Sequence, residues 1–144
     1  MIFIMLNKIP IFSSFFCVPD WLKMRLLGMI HLKALPGTPL NKGQKISKII
    51  DVALKEVEML EKYGYDGLIV ENMHDIPYVK NPGPEILTSM TSVCVQVRKH
   101  FPATKPIGVQ VLAGANQGAL AVALALVLAL ALAFALALAL VLGR

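Results

Sequence analysis

Apolar residues along this chain alternate between two kinds of run, short continuous ones and longer stretches in which they recur every three or four positions. The short runs are Arg25–Leu32, Leu68–Val70 and Ile107–Leu112, and continuous apolar character over so few residues predicts strands covered on both faces, as in a parallel sheet. Between the first two, Ile46, Ile49, Ile50, Ala53, Leu54, Val57 and Leu60 fall at helical spacing, while Lys45, Lys48, Asp51, Lys55, Glu58 and Lys62 take the other face. Gly64 is placed to end that helix as a C′ glycine. A second helix is predicted from Glu85, with Ile86, Met90, Val93, Cys94 and Val97 inward and Arg98, Lys99 and His100 in its last turn. Asn116 is a natural N-cap for a third. The strands break where Pro36, Gly37 and Pro39, then Asn81–Pro84, and finally Gly114 and Gly118 interrupt the pattern.

Strand, helix, strand, helix, strand, helix at this spacing implies an α/β fold built of right-handed βαβ units, with three parallel strands in the order one, two, three. The expected inner face holds Ile30, Ile69 and Val109. Polar residues cluster where the strands end: His31 after the first, Glu71, Asn72, His74 and Asp75 after the second, Gln110 and Asn116 on or after the third. In parallel α/β folds that carboxyl edge is where ligands bind and chemistry is placed. His31, Glu71, His74 and Asp75 are therefore the candidate catalytic groups, since a His beside a carboxylate can act as an acid–base pair or hold a divalent metal. Asn72, Gln110 and Asn116 are candidate substrate-binding groups. The competing reading is that polar residues after a strand are turn formers and helix caps. The spacing Glu71-x-x-His74-Asp75 is not a specific metal motif, and no metal or cofactor is named by the sequence.

Several phrases carry a resemblance. Gly28–Pro39, Asp66–Pro77, Gly83-Pro84-Glu85 and Gly108–Asn116 resemble the signature segments of the BtpA family over roughly residues 22 to 125. That resemblance implies a TIM-like (β/α)8 barrel and, for the cyanobacterial members, a role in accumulation of photosystem I at the thylakoid membrane. A complete barrel takes about 250 residues, whereas this chain of 144 residues supplies three βα units, which reads as the N-terminal part of a barrel truncated after the third. Two functions stay open: a factor that helps a membrane complex accumulate, and part of a TIM-barrel enzyme acting on a small polar or phosphorylated substrate.

Composition changes the picture only at the two ends. The hydrophobic fraction of 56% is raised by Ala119–Leu142, which contains only Ala, Leu, Val and one Phe. The chain divides into an apolar N-terminal segment (1–24), a partial barrel (25–118) and an Ala/Leu tail (119–144). As a helix the tail is about 36 Å long, enough to span a bilayer, and it makes the membrane a candidate partner through residues 119–142. It also reads as a low-complexity repeat standing in place of the family's continuation. On the first reading the protein is membrane-associated, on the second cytoplasmic or mitochondrial. Its removal is expected to improve solubility. Residues 1–18 are apolar with Lys8 as the sole charge and read either as a targeting segment or as a stretch packed across the barrel base.

The net charge of +5 is spread over helices and loops without dense basic runs, so nucleic acid is not indicated as a partner. Cys17 and Cys94 make neither a disulfide framework nor a zinc motif. An unpaired strand edge makes self-association the other expected contact.

Overall fold

A computed structural model describes residues 26–142, with the side chains of residues 130 and 133–142 outside that description. The segment 1–24 and any targeting role for it therefore lie outside the described residues. The elements run β1 (Leu27–His31), α1 (Ile46–Lys62), β2 (Gly67–Glu71), α2 (Pro84–His100), β3 (Ile107–Gln110) and α3 (Asn116–Leu142). The strands form one parallel sheet in the order β1-β2-β3, the arrangement expected of consecutive βα units in a TIM-like barrel.

The outer strands are shorter than the apolar runs that predict them. Val111 and Leu112 contribute no ladder pairing among the described residues, and β3 stops at Gln110 so that the backbone can turn toward Asn116. The middle strand is buried along most of its length, whereas β1 alternates exposed, buried, exposed, buried, exposed. Alternation is what a strand shows when only one of its faces is covered. Register gives the reason. Ile30, Val70 and Val109 form one cross-strand row and Met29, Ile69 and Gly108 the next. Ile30 and Val70 are fully buried in a core shared with Ile49, Ala53 and Val57 of α1 and with Met90, Val93 and Val97 of α2. The expected inner face of Ile30, Ile69 and Val109 is thus corrected: Ile30 and Val109 point toward the helices, and Ile69 belongs with Met29 on the opposite, open face. Successive residues of a strand cannot share a face, and the alignment of the three strands is what assigns each to its side.

Glycine sets two of the contacts that place α1. Gly64, at φ +76°, closes the helix. Its N–H donates to the Glu61 carbonyl at 2.9 Å and the Tyr65 N–H to the Leu60 carbonyl at 3.2 Å, the paired bonds of a Schellman motif. At Gly28 the methyl carbons of Leu60 come as close as 2.7 Å to where a β-carbon would stand, so a larger residue there would force the Leu60 side chain to shift. At the far end of α2, Arg98 donates from Nη1 to the Lys105 carbonyl at 2.8 Å and from Nη2 to the Phe101 carbonyl at 2.6 Å and to that of Pro102. These bonds fix the connection into β3.

Residue 118, read as the end of the partial barrel, falls inside a helix. α3 starts at Asn116 and runs on through the Ala/Leu stretch as one helix; Val122 (1% exposed) and Leu126 (7%) belong to the same core as α2 and β3. Asn116 is consequently the first helical residue rather than the residue before the helix. Among the described residues no helix is long and apolar enough to cross a membrane, so the membrane-spanning reading of the tail has no support there, and the remainder of the tail's side chains lie outside the described residues. Leu120, Leu124, Val127, Leu128 and Leu132 are exposed on the outer side of α3.

Candidate functional site

The three strands deliver their last residues in register: His31 pairs with Glu71 and Glu71 with Gln110. This row falls on the open face, because it is one residue beyond the helix-facing row of Ile30, Val70 and Val109. His31 Nε2 stands 3.4 Å from Glu71 Oε2, with the histidine side chain 44% exposed and the glutamate 8%. A half-exposed imidazole held against a nearly buried carboxylate can exchange a proton with a ligand on its solvent side. Gln110 continues the row in an exposed position.

The other rim groups have different tasks. Asn72 (2% exposed) and Asp75 (3%) are buried. Asp75 Oδ1 accepts the Leu35 N–H at 2.7 Å, its Oδ2 accepts a bond from Asn72 Nδ2 at 3.0 Å, and Asn72 Oδ1 accepts the Leu112 N–H at 2.7 Å. Two side chains from the loop after β2 thereby hold the loop after β1 and the loop after β3. His74 adds a third tie, with Nδ1 at 2.8 Å from the Leu32 carbonyl. A carbonyl only accepts, so a neutral His74 carries its proton on Nδ1 and leaves Nε2 as an acceptor. The row and these ties together bring His31, Glu71, His74, Asp75, Asn72 and Gln110 to one carboxyl rim. Asn116 is not joined to them: its side chain is exposed at the start of α3 and its backbone N–H donates to the Gly114 carbonyl at 2.9 Å.

Glu56 belongs to the electrostatics of this rim and is not among the candidates read from the sequence. It sits on α1 beside the buried Val57, and burial pushes its carboxyl above the ordinary carboxylate range against the opposing pull of Lys33, His31 and His74. Its one signal in the sequence is its position next to the apolar stripe of α1. Among the described residues no group of three or more His, Cys, Asp or Glu side chains is arranged to hold a metal ion. A cleft of about 260 Å3 opens over the loops, lined in part by Gly37, Thr38, Asp75, Val79, Glu85 and Leu112.

Comparison with known proteins decides the family. The model of the BtpA family matches residues 22–130, which contain all three strands and the whole rim. The chain belongs to the BtpA family. The family match extends a few residues further into α3 than the resemblance read from the phrases alone. An uncharacterised mitochondrial protein of Caenorhabditis elegans is 50% identical over 102 residues, 67% of this chain and 36% of that protein. An uncharacterised protein of Pyrococcus furiosus is 36% identical over 93 residues, covering 65% of this chain and 34% of its own. The photosystem I biogenesis protein BtpA of Synechocystis is 33% identical over 98 residues, 67% of this chain and 33% of its own. This BtpA-family chain thus spans about a third of the length of the curated relatives it matches. No solved structure matches it.

Proposed function

We propose that this chain acts by binding rather than by turnover, as a BtpA-family factor that assists the biogenesis or stability of a membrane protein complex. The observation that carries the reading is the use to which the rim is put. Asn72, His74 and Asp75, three of the polar groups a catalytic site would draw on, spend their hydrogen bonds on the backbones of Leu112, Leu32 and Leu35. A rim built this way presents loops in fixed positions. The name of the Synechocystis relative, a photosystem I biogenesis protein, lends support of the same kind. The test is disruption of the gene followed by native electrophoresis of membrane complexes: loss of a complex, restored by the wild-type chain, supports the reading, and an unchanged pattern refutes it.

A second reading rests on a separate observation, the 3.4 Å approach of His31 to Glu71 on the open face. It makes the pair an acid–base couple for a small polar or phosphorylated substrate, with Gln110 beside it to orient the ligand. A turnover screen on a full-length relative, repeated with the histidine equivalent to His31 replaced by Gln, distinguishes the two.

A further inference from the structure

The cleft over the rim loops has walls and charge of a definite kind. Pro39, Pro77, Val79 and Pro82 supply rigid apolar sides, and the carboxylates of Asp75 and Glu85 supply its only formal charges, since no Lys, Arg or His is among the described residues that line it. The chain as a whole carries +5, so a cation-free, doubly acidic cleft is a local reversal of the protein's charge. The start of α2 opposes this, because a helix N-terminus acts as about half a positive charge. Two carboxylates outweigh it. Val79 of the lining is 44% exposed, and exposed large apolar side chains stand next in sequence to two other lining residues: Leu40 (49%) after Pro39, and Ile76 (50%) and Tyr78 (37%) on either side of Pro77. The volume of about 260 Å3 is below the range of ordinary small-molecule pockets and suits one long side chain.

The geometry points to a docking site for a single basic side chain of a partner polypeptide, with the exposed Glu85 meeting the Arg or Lys head, the buried charge of Asp75 adding to the field behind it, and the neighbouring exposed apolar side chains gripping apolar residues on either side of it. This rests on the reading of the protein as a binding factor and names the chemistry of its partner. The basic stem lies along Pro77 and Pro82 with its charge at the Glu85 carboxylate, as long cationic side chains do when they cross apolar surface. Glu85 is the adaptable member, exposed and packed over Gly37 and Gly83. Asp75 is fixed by its bonds to Leu35 and Asn72.

The test uses the whole chain in nonionic detergent micelles and fluorescence polarisation of labelled, acetylated and amidated pentapeptides. Ala-Leu-Arg-Leu-Ala is expected to bind saturably. Replacing its Arg by citrulline, which keeps the shape and removes the charge, is expected to weaken binding by about tenfold. Ser in place of both Leu is expected to weaken it as well. On the protein, Glu85→Gln and Val79→Ser should each weaken binding while the remote Glu58→Gln does not. Equal binding of the citrulline peptide, or an unchanged affinity of a folded Glu85→Gln protein, overturns the proposal, as does equal binding of an all-Leu peptide. Peptide binding of the expected kind together with unchanged membrane complexes in the gene disruption would sink the biogenesis reading and leave the docking site standing; the converse pair of results does the opposite.

Discussion

Asn72 and Asp75 act as one buried unit: the amide nitrogen of Asn72 donates to Asp75 at 3.0 Å, while the amide oxygen of Asn72 receives the Leu112 N–H and the second carboxylate oxygen of Asp75 receives the Leu35 N–H, each from a different loop. The sheet alone aligns the strands, but this pair aligns the loops at their carboxyl ends. Removing one member leaves buried donors without acceptors, which costs far more than the bond itself contributes.

Asp75→Ala is expected to destabilise the folded chain by about 1–3 kcal/mol per stranded buried group, read as a lower urea midpoint. Asp75→Asn keeps an acceptor for Leu35 and should lose less. A midpoint for Asp75→Ala equal to wild type would mean that the loops are held by something else.

Glu56 predicts a pH effect. Burial raises its folded carboxyl above the ordinary value of 4.5, so the folded state holds the proton more tightly than the unfolded chain does. Its contribution is therefore fully present below that value and is lost as pH rises through the higher folded one. Glu56→Gln should flatten the stability profile in that window and make the protein relatively more stable at neutral pH. Thermal melts between pH 4 and 8, with a profile unchanged by the substitution, would contradict the assignment.

Cys94 is fully buried in α2, and burial pushes its thiol up to about 12. In a Cys17→Ser background the native protein should resist alkylation at pH 8 and react only after unfolding, because the thiolate is the nucleophile. Rapid modification without denaturant would show that α2 opens in the native state.

The inner side of α3 supplies a fourth expectation. Val122 and Leu126 lie in the core, so Leu126→Ala should cost about 2–5 kcal/mol. Ending the chain after Gly118 should abolish cooperative unfolding, whereas ending it after Ala129 should preserve it. Equal urea transitions for the two truncated chains would show that α3 contributes nothing to the fold.

The pattern of hydrophobic positions is enough to read three strands, three helices and their order, because strand and helix periods differ and turn residues punctuate them. The stripe of α2 is a case in point: Ile86, Met90, Val93, Cys94 and Val97 are all buried as predicted. Chemistry is legible as a set of polar residues at strand ends. Its division of labour is not. Residue type cannot say whether Asp75 meets a ligand or the N–H of Leu35, forty positions earlier, since that depends on where another loop lies. Glu56 is hidden for the same reason, its rim neighbours being contributed by loops distant in sequence.

The sequence by itself determined the succession of βα units and the family, both written in local periodicity and in short phrases around each strand end. Tertiary structure alone decided three things: which face of each strand looks at the helices, which rim groups are occupied by backbone, and that the Ala/Leu stretch is in its first turns part of the core. Each is fixed by register and by long-range contact. A one-residue slip would exchange Ile30 for His31 on the helix side, and an apolar helix with no polar face carries no mark of which side will be buried until α2 and β3 are packed against it.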